Sequence, residues 1–162
     1  MATGIIQDKM GRPQGDDLTT EAVTKDIKMP PELQEAYERV VIAGMKVMFA
    51  KESHRAMLQE IQKPGPIDER LGKGIAGLML MLFKESNETM PPAVIIPAGV
   101  NLLMEAVDFL RNSGLAKPTN ADIGGAIEIM MSTVLDKFGL PPDKLAQMLN
   151  QYSNENIPEM GA

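Results

Sequence analysis

Two apolar helical runs either side of a polar turn dominate the hydrophobic pattern between Ile67 and Gly114. In the first, Leu71, Ile75, Leu78, Met79 and Leu82 recur at three- and four-residue spacing, which predicts one face of a helix. Leu80, Met81 and Phe83 fall on other faces, so no clean polar side remains. A helix apolar on nearly every side belongs inside a bundle, in an oligomer interface or in lipid. Ser86-Asn87-Glu88-Thr89 predicts the turn. Met90-Pro91-Pro92 then opens a second helix, in which Val100, Leu103, Met104, Val107 and Leu110 continue an apolar face as far as a glycine stop at Gly114. Pro97 removes a hydrogen bond inside that helix and predicts a kink.

The flanking segments read as amphipathic helices able to cover this pair. Asp17 followed by Leu18-Thr19-Thr20-Glu21 suits the start of a short helix reaching about Lys28. From Pro31, the residues Leu33, Tyr37, Val40, Val41, Gly44, Met45 and Met48 make one stripe. That helix is expected to run to Gln62 and to stop at Lys63-Pro64-Gly65-Pro66, with the polar patch 51–54 marking either a bend or the place where it leaves the core. Beyond the central pair, Thr119 or Asn120 caps a helix carrying Ile123, Ile127, Met130, Val134 and Phe138, closed by Gly139. Leu140-Pro141-Pro142 starts a last helix with Leu145, Met148 and Leu149, fading by Tyr152. Proline pairs thus precede three helical runs at unequal separations, which is a repeated helix-start device and not a repeat array. Val94-Ile95-Ile96 is the one candidate strand seed, and Pro92 and Pro97 flank it too closely. The expected fold is all-α, an irregular bundle of about five helices over residues 18–152, with an extended arm 1–17 and an irregular tail 153–162.

Composition narrows the function. A net charge of −6 argues against a broad nucleic-acid surface, which needs clustered Lys and Arg. The absence of cysteine removes disulfides and thiolate metal sites. The N-terminal MATGIIQDKM lacks the basic region and apolar run of a signal peptide, and no stretch reaches the roughly 18 uncharged apolar residues of a spanning helix. The chain holds 14 Met and no Trp, and unbranched Met fills irregular gaps and adapts to partners.

The candidate chemistry is thin. Gly72-Lys73-Gly74 lacks the earlier glycine, the following Ser or Thr and the preceding strand of a phosphate loop. His54 is the only histidine and sits among Glu52 and Arg55, which reads as a solvated side chain. One histidine cannot supply the paired ligands of a di-metal bundle site. Glu105 and Asp108 share one side of a helix and could do acid–base work or bind a hard cation, but they read more simply as a polar face. Ser132 and Thr133 have no base nearby in sequence. No enzyme, cofactor or metal is expected.

The glycines say more. Gly72, Gly74 and Gly77 each cost about 1 kcal/mol relative to Ala inside a helix, a cost offset where another backbone packs closely. Gly44, Gly99, Gly124 and Gly125 also lie in helical patterns. The close neighbour can belong to the same chain or to another. The expected interaction set is Gly74, Gly77, Leu78, Met81, Phe83, Val100, Met104, Met130 and Met131.

The segments MPPELQEAYERVVIAGMKVMFAKESHRAM and KPTNADIGGAIEIMMSTVLDKFGLPPDKLAQML resemble, in general character, small helical virion proteins of tailed bacteriophages. That group includes internal proteins ejected with the genome and minor head or tail components. The resemblance implies a non-enzymatic protein that assembles with itself or with a larger virion protein, in the host cytoplasm and then in the virion, with no small-molecule substrate. It carries no site residue across. A different expectation is a membrane-active protein in which residues 74–107 insert as a helical pair.

Overall fold

The computed structural model describes residues 18–25, 27, 29–139 and 143. The expected arm 1–17, the expected last helix after Pro142, except Asp143, and the tail 153–162 lie outside the described residues. Among the described residues there are six helices and no strand: α1 (Thr20–Thr24), α2 (Pro31–Phe49), α3 (Lys51–Ile61), α4 (Ile67–Glu85), α5 (Pro92–Ser113) and α6 (Asn120–Phe138). The all-α bundle expected from the spacing is the observed architecture. Proline at the first position of α2 and α5 starts both where the missing N–H costs nothing. Thr119 caps α6 in a reciprocal box: its hydroxyl accepts from the Asp122 N–H at 3.1 Å, and the Asp122 carboxylate accepts from the Thr119 N–H at 2.9 Å. The α1 cap is Thr19, accepting from Ala22 N, rather than Asp17.

The centre of the bundle is α5, not α4. Val94, Ala98, Leu102, Leu103, Met104, Val107 and Leu110 are completely enclosed, and the helix continues through the buried Pro97. α1, α2, α4 and α6 all pack on it. Its polar side chains looked like a solvent face because sequence spacing does not show what lies opposite. Asn101 donates to the Tyr37 hydroxyl of α2 at 2.9 Å. Thr20 of α1 donates to the Asp108 carboxylate, and the Arg111 guanidinium donates to the carbonyls of Leu18 and Pro118. The short α1 buries no residue of its own, so these bonds and packing of Leu18 and Val23 fix it.

The single helix expected over 31–62 is broken at Ala50, which is extended with ψ 142°. The cause is tertiary. Phe49 and His54 both turn onto Phe109 of α5, with ring centroids at 5.6 and 4.8 Å, and a continuous helix would send them to different sides.

α4 and α6 run parallel and make the closest helix pair. Asp68 lies against Gly125 at one end, and the rings of Phe83 and Phe138 stand 5.0 Å apart at the other. Gly72 makes the approach possible. A Cβ there would stand 2.7 Å from the Ala126 carbonyl oxygen and 2.8 Å from Ile129 Cβ. Gly124, on the outside of α6, faces open space. Gly72→Ala is therefore expected to lower stability by roughly 1–3 kcal/mol through overpacking. Gly124→Ala should raise it by up to about 1 kcal/mol, by removing chain entropy from the unfolded state. Urea unfolding midpoints at one dilute concentration check both, and equal shifts for the two variants would contradict the assignment of Gly72 to the helix contact.

Candidate functional site

With one side of α4 against α6 and another against α5, a third side is only partly covered, by α2 and α3. It forms the wall of an apolar groove of about 340 Å³ between α4 and the α2–α3 elbow. Val47 and Met48 come from the end of α2, Met57 and Ile61 from α3, and Leu71, Ile75, Leu78 and Met81 from α4. Gly74 and Gly77 are exposed along it, and a Cβ built on either would meet nothing within 4 Å. The groove continues past Gly77 over Leu80, Met81, Lys84 and Glu85. Its lining holds three polar side chains in the first part, those of Ser53, Glu60 and Arg70.

Arg70 fixes one end. Its Nη1 donates to the Glu60 carbonyl at 3.1 Å, tying the start of α4 to the end of α3. Gly65, at φ +123°, leaves room for the same guanidinium: a Cβ there would stand 2.8 Å from Nη2. Lys73 and Glu69 pair along the exposed edge at 3.8 Å, a contact of small energetic value at that exposure.

The expected interaction residues divide. Gly74, Gly77, Leu78 and Met81 come together on the groove. Phe83 is half-buried against Phe138, and Val100 and Met131 are half-buried elsewhere on the bundle. Met104 and Met130 are wholly enclosed by the chain itself, Met130 filling the space beside Gly99, so neither belongs to a surface. Among the described residues, Gly72 alone of the three α4 glycines has the close backbone neighbour within the chain. The α3 side of the groove is not evident from the sequence, where the apolar spacing over 31–62 reads as one helix. Met57 and Ile61, four residues apart, were the signal for a separate short stripe.

His54 corrects another expectation. It is half-buried, and its Nδ1 lies 3.0 Å from the Met48 carbonyl. A carbonyl only accepts, so Nδ1 carries the hydrogen and donates. The side chain caps the open end of α2 and is packed between Phe49 and Phe109. Burial raises the Tyr37 hydroxyl above its ordinary pKa, partly offset by the bond from Asn101.

Of the two carboxylates on α5, Asp108 accepts from Thr20 as described. Burial, reinforced by the charge of Asp108, holds the Glu105 carboxyl above its ordinary value. A raised folded pKa means that the folded state holds this proton more tightly. The contribution is fully present below the unfolded carboxyl pKa of about 4.3 and is lost as pH rises through the folded value. Glu105→Gln should therefore melt at a higher temperature than the parent at pH 7, with the gap closing by about pH 3.5. Melting curves at the two pH values decide it, and an equal gap at both would remove ionisation as the cause.

No protein-family model matches the chain, and no curated protein or solved structure was found that matches it. The groove therefore has to be read from its own chemistry.

Proposed function

We propose that this is a non-enzymatic assembly protein that acts through helix-mediated association, with itself or with a larger protein. The observation that carries the reading is the open groove over Gly74 and Gly77. An apolar channel of helix length, walled by Met57, Met81 and Leu78 and bordered by helix backbone bare of side chains, suits a second helix better than a small polar substrate. The virion of a tailed bacteriophage is the proposed setting, which rests on the resemblance in the α2–α3 and α6 segments. There the protein would serve as an internal, ejected or minor head–tail component.

The membrane-active reading has one observation in its favour. By length and composition α5 could cross a membrane. Yet 67% of that apolar window is buried inside the bundle, as the enclosure of α5 by four helices requires. Inserting it would leave the tight α4–α6 pair without its core.

Native mass spectrometry and light scattering of the full chain test the proposal. A concentration-dependent oligomer is the expected outcome. A single monodisperse monomer over a wide concentration range, with no larger partner captured, would overturn it. Leakage of liposomes at several pH values would favour insertion instead.

A further inference from the structure

We infer that the occupant of the groove is α4 of a second copy, lying antiparallel across a two-fold axis that passes at Gly77. This rests on the assembly reading and gives it a geometry. The argument comes from how charge and size are distributed along the open side of α4.

Gly77 is the centre of that side, exposed and with nothing opposite it. At 3.6 residues per turn, Arg70, Gly74, Met81 and Glu85 fall on one flank of a line through Gly77. Glu69, Lys73, Leu80 and Lys84 fall on the other. A two-fold axis perpendicular to the helices sets each flank against the same flank of the partner, running in reverse. Position 69, eight residues before the centre, then comes level with position 84, seven residues after it. The offset is about 1.5 Å along the axis. Glu69 thus meets Lys84 of the second copy on one flank, and Arg70 meets Glu85 on the other.

Size matches as charge does. Met81, half-buried at the groove edge, comes opposite Gly74 of the second copy, whose missing side chain leaves the space that the Met81 side chain needs. The Lys73 stem lies over Leu80 with its ammonium free to reach water. A parallel pairing would set each flank against the opposite one, with Lys84 beside Lys84 near the central line and Met81 facing Leu80 instead of Gly74, so the antiparallel arrangement is the one that fits. The crossing has to be shallow, near the 20° of a bundle pair. At 50° the ends would separate by about 10 Å and the charges would no longer meet. Each end of the contact gathers Glu60, Glu69 and Arg70 from one copy with Lys84 and Glu85 from the other. Arg70 is drawn aside toward the α3–α4 loop by the Glu60 carbonyl, which separates it from the incoming Lys84.

The chain contains no cysteine, so single cysteines report contacts without background. Two full-length variants, Glu69→Cys and Lys84→Cys, are oxidised separately and then mixed under mild conditions. The expected result is a disulfide-linked dimer from the mixture and little from either variant alone. In a second arm, Glu69→Lys should weaken association roughly tenfold, because a two-fold contact loses the pair twice. Adding Lys84→Glu to it should restore association. If the protein oligomerises but Glu69→Cys links to itself, or the mixture links no better than the single variants, the antiparallel contact is wrong while self-association stands. If native mass spectrometry shows only monomer, the assembly reading falls and this inference with it.

Discussion

Everything in this bundle follows from the need to enclose α5. A helix whose buried residues run from Val94 to Leu110 needs neighbours on every side, and its few polar groups need partners at the same time. Asn101, Asp108 and Arg111 set where those neighbours sit. Tyr37 comes to Asn101, Thr20 to Asp108, and the carbonyls of Leu18 and Pro118 to Arg111. The hydrogen bonds are individually worth about 1 kcal/mol net, and leaving these half-buried groups without partners would cost more. They convert a helix that could have been placed at any rotation into one with a fixed orientation, with α1 and α2 on its polar side and α4 and α6 on the rest.

That arrangement leaves α4 with a divided role. One side packs on α5, a second meets α6 at backbone distance through Gly72, and the third, facing the α2–α3 elbow, is only partly covered and leaves Gly74 and Gly77 exposed. Gly72 and Gly74 are two residues apart and chemically identical, yet one is required by the fold and the other faces open space. The conformational cost of a glycine within a helix is the same in both places. For Gly72 the close packing of α6 offsets it. For Gly74 and Gly77 nothing within the described chain does.

Much of the fold was legible in the sequence because the signals are local. The proline starts of α2 and α5, the Thr119 cap and the glycine stops at Gly114 and Gly139 act through backbone groups within a turn of themselves. What was not legible depended on residues distant in sequence. By count of apolar positions α4 looks the more enclosed of the pair, because Leu80, Met81 and Phe83 fill its faces while α5 displays Asn101, Glu105 and Asp108. The count cannot register that Tyr37 and Thr20 stand opposite those groups. The break at Ala50 has no Pro or Gly to announce it, since Phe109 of α5 draws Phe49 and His54 to one side. The groove was half visible: its α4 wall could be read from Gly74 to Met81, while the α3 wall was hidden by the unannounced break.

The methionines bear on what would specify the contact inferred for α4. Met79, Met104 and Met130 are enclosed, and Met130 takes a fixed shape beside Gly99. Met57 and Met81 instead border an open channel. Long unbranched side chains over bare glycine backbone will follow the contour of many helices, so shape there discriminates poorly. Apolar burial supplies attraction without direction. Direction and register must come from groups whose energy changes sign when the partner is wrong, and on this side of α4 those are Glu69 and Arg70 at one end, with Lys84 and Glu85 at the other. In the antiparallel contact inferred above, the reversed α4 itself provides charges in the complementary order.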